Sequence, residues 1–100
     1  MTTFKLLADP TRRRILDLVR GGECSVGELV DRLAMNQPAV SKQLGVLRSN
    51  GLVASRVDGK RRLYRILPAP LAEIDAWLAP YRRNWSQRLD ALEDHLNGED

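Results

Sequence analysis

A mainly helical domain carrying one small β-hairpin is the fold class this 100-residue sequence predicts. Three observations predict it. Apolar residues recur at spacings of three and four in successive short stretches up to Leu47. The period then switches to two on either side of Asp58-Gly59-Lys60. From Leu71 to Leu96 it returns to steps of three and four without interruption. The order of elements is α-α-α-α-β-β-α. The length suits a single domain over residues 1–100 with one core, and an apolar fraction of 43% is ordinary for a globular chain.

Thr3 to Ala8 forms a short first helix with Phe4, Leu6 and Leu7 apolar and little polar surface, so it packs on another element. Asp9-Pro10 starts the second helix: the Asp side chain caps it, and Pro suits the first helical position. That helix runs to about Arg20 and buries Ile15, Leu16, Leu18 and Val19. Arg12, Arg13 and Arg14 crowd its first turn, where positive charge opposes the helix dipole. Local stability does not explain them, which leaves either a phosphate contact or a solvated surface cluster.

Gly21-Gly22 breaks the chain. Ser25 and Glu28, three apart, fit a capping box at the head of a third helix. This helix covers about Val26 to Ala34 and buries Val26, Leu29, Val30 and Leu33. A tight turn at Met35-Asn36 leads into the fourth helix, Asn36 to Gly51. Asn36 caps it, Pro38 sits harmlessly in the first turn, and Asn50-Gly51 stops it. Val40, Leu44 and Leu47 make its buried stripe.

The other face of the fourth helix carries Gln37, Ser41, Lys42 and Gln43 with Ala39 between them. It is short, polar and free of acidic charge. Gln, Ser and Lys can read base edges in a major groove, and Ala can touch a thymine methyl. An ordinary amphipathic helix with a solvated face has the same look, so the neighbouring elements must decide. Two short helices joined by so tight a turn make a helix-turn-helix. Leu52 to Val57 and Arg61 to Ile66 then flank a short turn containing Asp-Gly, a hairpin signal. Lys60, Arg61, Arg62 and Arg65 lie on its tip and return strand. A basic hairpin after a reading helix is the wing of a winged helix-turn-helix. Such a hairpin is marginal alone and must lean on the helices.

Beyond Pro68 and Pro70, the residues Leu71, Ile74, Leu78, Tyr81, Trp85, Leu89, Leu92 and Leu96 form a sustained apolar seam, to which Trp77 adds surface. Pro80 lies inside it and should kink the helix or split it. The seam is longer than the core of so small a domain needs. It either meets a partner chain, the preferred reading, or folds back on its own domain.

Charge is distributed unevenly. Between Asn36 and Arg65 stand Lys42, Arg48, Arg56, Lys60, Arg61, Arg62 and Arg65 against Asp58 alone. Between Ser86 and Asp100, Arg88 faces Asp90, Glu93, Asp94, Glu99 and Asp100. A basic middle suits a polyanion. No apolar run approaches the roughly 20 residues of a membrane span and no signal peptide precedes the first helix, so a soluble cytoplasmic protein is expected, with no membrane partner.

Phe4-Lys5-Leu6-Leu7-Ala8-Asp9-Pro10-Thr11-Arg12-Arg13-Arg14-Ile15-Leu16 resembles the opening of the ArsR/SmtB-type transcription regulators. Gln37-Pro38-Ala39-Val40-Ser41-Lys42-Gln43-Leu44 and Leu47-Arg48-Ser49-Asn50-Gly51-Leu52-Val53 are similar to that family's recognition helix and its exit. The resemblance covers nearly the whole chain. It implies a homodimeric winged-helix repressor on a palindromic double-stranded DNA operator, dimerising through its first and last helices, residues 1–8 and 71–100. It implies DNA contacts at Gln37, Ser41, Lys42 and Gln43 and at Lys60, Arg61 and Arg62, with Ala39 added from the reading of the helix face. The dimer contacts would come from Phe4, Leu71, Ile74, Leu78, Tyr81, Trp85, Leu89 and Leu92.

The departure from the family concerns effectors. Many members sense thiophilic metals through a Cys-Val-Cys-Asp-Leu run. Here the matching stretch reads Ser25-Val26-Gly27-Glu28-Leu29, and Cys24 stands one residue off that register. The single histidine, His95, has Glu93 and Asp94 beside it in sequence, but such neighbours do not share its helix face. Tetrahedral zinc needs about four ligands, so no metal site and no cofactor are expected. The run Trp77 to Trp85 resembles a branch of the family without metal motifs. In that branch repression is relieved by a small molecule, by another protein, or by nothing beyond the repressor's own concentration. An alternative on the same fold is a thiol redox switch through Cys24, whose place before a helix N-terminus could lower its pKa. With one cysteine in the chain, such a switch needs an intersubunit disulfide. No combination of residues suggests catalysis, so an enzyme is not expected.

Overall fold

A computed structural model of the chain describes residues 1–98; Glu99 and Asp100, the last acids of the tail and of the predicted last helix, lie outside the described residues. The elements follow in the order α1 (Thr3–Ala8), α2 (Pro10–Arg20), β1 (Cys24–Ser25), α3 (Val26–Leu33), α4 (Gln37–Ser49), β2 (Val53–Asp58), β3 (Arg61–Ile66) and α5 (Ala69–Gly98).

The first four helices begin where the sequence supplies a cap. The Thr2 hydroxyl accepts the Lys5 N–H at 3.2 Å at the head of α1. Asp9 Oδ1 accepts from Thr11 and Arg12 at 2.8 and 3.3 Å, with Pro10 in the first turn of α2. Ser25 and Glu28 exchange both bonds of the capping box at 3.2 Å each. Asn36 Oδ1 accepts the Ala39 N–H at 2.9 Å. Caps of this kind contribute about 1 kcal/mol apiece. Helix α4 ends as expected: Asn50 Nδ2 donates to the Val46 carbonyl at 2.8 Å, and Gly51 follows at φ +75°, where glycine is at no disadvantage.

The turn between α3 and α4 starts earlier than the sequence suggests. Ala34 is already outside the helix, at φ 53° and ψ 42°. A side-chain-bearing residue in that left-handed region costs roughly 1–2 kcal/mol, and packing of α3 against α4 must hold it there. The hairpin also shifts. Asp58 pairs with Arg61, so the loop is Gly59-Lys60 alone, with Gly59 at φ +61°. A glycine first in a two-residue loop keeps the natural twist of the flanking strands. Leu52 therefore precedes β2, where it is wholly buried, and its N–H bonds the Leu47 carbonyl at 3.0 Å.

The hairpin does not stand alone. Cys24 pairs with Tyr64 and Ser25 with Leu63, which makes an antiparallel sheet of order β1-β3-β2 with β3 in the middle. Two residues are too short for a period-two pattern to register, so β1 was invisible in the sequence. Ser25 ends β1 and caps α3, and the wing is thereby fastened to the helix-turn-helix.

The core joins Leu6, Ile15, Leu16, Val19, Leu29, Leu33, Val40, Leu44, Leu47, Leu52 and Val53. The stripe expected on α4 is buried in full. Leu18, Val26 and Val30, expected inside, are half-buried at the margin. Cutting Leu44 back to Ala in such a core would cost about 2–5 kcal/mol.

Helix α5 is a single helix of 30 residues that runs through Pro80, so the proline does not split it. Pro80 has no N–H for the Ala76 carbonyl. One residue earlier, Arg82 reaches back, its Nη2 donating to the Asp75 carbonyl at 3.2 Å and its Nη1 2.8 Å from Asp75 Oδ1. No residue of α5 is buried. Leu71, Ile74 and Leu78 are half-buried, Leu71 against the domain's own core. From Pro80 to Gly98 every residue is exposed. The helix therefore projects from the domain and does not fold back on it, which gives extents of 64 × 25 × 21 Å.

Candidate nucleic-acid interface

The helix-turn-helix and the wing converge on one surface. Gln37 at the start of α4 and Lys60, Arg61 and Arg62 at the hairpin tip line a single open depression, with Ser25, Val26 and Gly27 of the α3 start between them. Ser41 and Lys42 are exposed farther along α4, while Ala39 and Gln43 are half-buried. The structure thus brings Gln37 and the wing together, with Ser41, Lys42 and Gln43 farther along the helix.

The wing cations are held loosely. Arg61 lies 3.3 Å from Asp58 and 3.9 Å from Glu28. Arg62 Nη1 donates to Ser55 Oγ at 3.0 Å. Among the described residues no hydrogen bond or ion pair engages Lys60. Exposed pairs like these contribute 1 kcal/mol at most, so a phosphate can replace them. Arg56 differs. Its Nε and Nη2 bind both oxygens of Glu23 at 2.8 and 2.9 Å, a fork that Lys could not match. That hydrogen bond is the main cause holding the Glu23 carboxyl below its ordinary range. Arg56 is therefore largely neutralised, which sequence reasoning missed because its partner lies in a distant loop.

Arg12 and Arg13 bond the end of the preceding helix. Arg12 Nε donates to the Leu6 carbonyl at 2.8 Å and Nη2 to the Lys5 carbonyl at 3.2 Å. Arg13 Nη1 donates to the Leu7 carbonyl at 2.6 Å. These are last-turn carbonyls of α1, which lack helical partners and attract positive charge. The charge that is misplaced for α2 is well placed for the helix before it. The remaining guanidinium nitrogen of Arg12, Nη1, donates to Gln43 Oε1 at 3.2 Å. Arg14 stays exposed.

Cys24 is buried, its Sγ–H directed at the carbonyls of Gly22 and Leu18, 3.5 and 3.7 Å away. Burial pushes the thiol up, and the nearby Glu28 charge adds to that. A redox-sensing thiol needs exposure and a lowered pKa. Cys24 has neither, and the helix behind it does not offset the burial, so the redox reading loses its residue. At the position of a family metal thiol, the Ser25 hydroxyl is already occupied as the α3 cap. Among the described residues no three His, Cys, Asp or Glu side chains gather around a common point that could hold a metal ion.

The residues expected at a partner interface divide into two groups. Phe4, Tyr81, Trp85, Leu89 and Leu92 are exposed, as is Trp77, which the sequence had supplied only as extra apolar surface. Leu71, Ile74 and Leu78 lie nearer the domain. Among the described residues no helix is long and apolar enough to cross a membrane.

A family described as bacterial regulatory protein, arsR family, matches residues 9–55. The chain is 36% identical over 96 residues to the HTH-type transcriptional regulator Rv2034 of Mycobacterium tuberculosis, covering 96% of this chain and 87% of that one. It is 40% identical over 71 residues to the biofilm growth-associated repressor of Xylella fastidiosa, covering 71% of this chain and 62% of that one. Its fold is similar to the solved ArsR-like transcriptional regulator from Rhodococcus sp. RHA1, with a TM-score of 0.72 and 32% identity over 95% of this chain and 87% of that one.

Proposed function

The chain belongs to the arsR family of bacterial regulatory proteins, DNA-binding transcriptional regulators and not an enzyme class, and from that premise we propose that it represses as a homodimer on a two-fold operator. The observation that carries this reading is the shared depression of Gln37, Lys60, Arg61 and Arg62. A helix whose polar N-terminal end faces a groove while a basic hairpin straddles the neighbouring backbone supplies both base reading and phosphate anchoring.

In this reading residues 1–100 act as one domain in the cytoplasm. Gln37, Ala39, Ser41, Lys42 and Gln43 enter the major groove, and Lys60, Arg61 and Arg62 hold phosphate. Segments 1–8 and 71–100 supply the dimer contacts, chiefly through Phe4, Trp77, Tyr81, Trp85, Leu89 and Leu92. The exposure of α5 supports that assignment, because long apolar seams seldom face water without a partner. Repression is supported by the relatives named as repressors. A small-molecule or protein inducer would act by favouring a dimer whose reading helices no longer match the operator spacing.

Selection of bound sites from random duplex DNA tests the reading. The expected result is a motif with two inverted half-sites whose centres lie one helical turn, roughly 34–36 Å, apart. Recovery of no sequence above background would overturn it.

A further inference from the structure

Gln43 is a half-buried amide on the face of α4 assigned above to the groove, and its orientation is dictated from another helix. Arg12 sits with its side chain only 14% exposed between α1 and α4. Its Nε and Nη2 are committed to the carbonyls of Leu6 and Lys5, and Nη1 meets Gln43 Oε1 at 3.2 Å. A guanidinium has only donors. The amide must therefore turn its oxygen toward Arg12, and its Nε2 hydrogens point the other way. Held by two backbone carbonyls, and 3.7 Å from the Asp9 carboxylate, the guanidinium has no freedom to follow the amide if it rotates.

We propose that Arg12, which touches no base, is a specificity-positioning residue: it engages Gln43 Oε1 so that α4 presents an amide donor to the DNA. The inference rests on the reading that α4 enters the major groove. A glutamine free to turn pairs bidentately with adenine, using its oxygen on N6–H and its nitrogen on N7. A glutamine whose oxygen is turned to Arg12 directs its N–H donors, and not its oxygen, away from Arg12 and toward the base. The base edge with two acceptors side by side is guanine, O6 and N7. Guanine is therefore the base Gln43 selects, and adenine is disfavoured there. Arg12 also ties this choice to the placement of α1, since the carbonyls that hold the guanidinium belong to that helix.

The test measures binding to the selected operator and to its single-base variants by wild type, Gln43→Ala, Arg12→Met, Arg12→Lys and the double variant Arg12→Met/Gln43→Ala. Gln43→Ala identifies the position read by Gln43 as the one where preference collapses. Wild type is expected to prefer guanine there by about tenfold over adenine, within the usual range for one good base contact. Arg12→Met is expected to lose that preference at the same position and keep it elsewhere, and the double variant to match Gln43→Ala. A loss of α1 packing alone would weaken all sequences equally without moving one position. Arg12→Lys, which keeps the charge but cannot span three acceptors, gives the same expected loss if Arg12→Met does not fold. Adenine as the preferred base, or unchanged preference in the folded Arg12 variants, would overturn the proposal and leave the groove assignment standing. No position-specific effect of Gln43→Ala would remove that assignment itself, and this inference with it.

Discussion

The ring of Phe4 stands edge-on to the indole of Trp77, centroids 5.5 Å apart and planes at 74°. One turn on, Trp77 and Tyr81 are 4.9 Å apart. Three rings thus join the start of α1 to the middle of α5, and each is about half exposed: 55%, 54% and 49%. Trp85 extends the strip at 61% exposure, with Leu89 and Leu92 beyond it. Contiguous exposed apolar strips of this kind mark interaction sites, and the proposed second copy would cover this one.

Trp85→Asp follows from that strip. The carboxylate would sit unpaired in the covered seam, which is strongly unfavourable, while the isolated domain should lose little because Trp85 is exposed. Sedimentation should show a monomer with an intact melting transition, and operator binding should fall to the non-specific level. Full operator affinity in a dimeric Trp85→Asp would place the interface elsewhere.

The wing offers a graded set. Lys60 at the tip is unengaged among the described residues, whereas Arg61 and Arg62 have side-chain partners on the domain. Lys60→Ala should weaken binding to all sequences alike and lower the salt slope by about one unit. Arg56→Ala should change the slope least, because Glu23 already holds that guanidinium. Equal slopes for Lys60→Ala and wild type would remove the wing from the phosphate backbone.

Glu28 links the wing to pH. Hydrogen bonds from Ser25, first from its backbone N–H and then from its side chain, hold the Glu28 carboxyl below its ordinary range. A depressed carboxylate contributes stability that is fully present above its unfolded pKa and is lost as pH falls through its folded one. Stability should therefore decline on acidification below the usual carboxylate range. Glu28→Gln should flatten that decline, whereas Ser25→Ala, which keeps the backbone donor, should lower stability by about 1 kcal/mol at neutral pH and flatten it only in part. Chemical denaturation at a series of pH values measures both, and an equally steep decline in Glu28→Gln would show that Glu28 is not its source.

Most of this architecture was legible because its signals are local. Asp9-Pro10, Ser25-Glu28 and Asn36 state helix starts in adjacent residues, and Val40, Leu44 and Leu47 state a buried face by spacing. The features that escaped are those made by residues far apart in the chain. Cys24-Ser25 becomes a strand only because Leu63-Tyr64 comes alongside. Arg12 looked misplaced because the helix end it serves and the amide it orients belong to other elements. The exposure of Cys24 was equally unreadable, since burial is a property of its neighbours. At the reading surface the sequence supplied the residue types, and folding supplied the pairing that decides which atom of Gln43 faces outward.

The central claim, a two-fold reader built from two copies of this chain, is tested most directly by titrating the selected operator and the same duplex with one half-site scrambled. The account predicts two chains per intact operator, and affinity for the scrambled duplex falling to near the non-specific level because one reading helix has lost its bases. One chain per duplex, with affinity indifferent to the scrambled half, would contradict it.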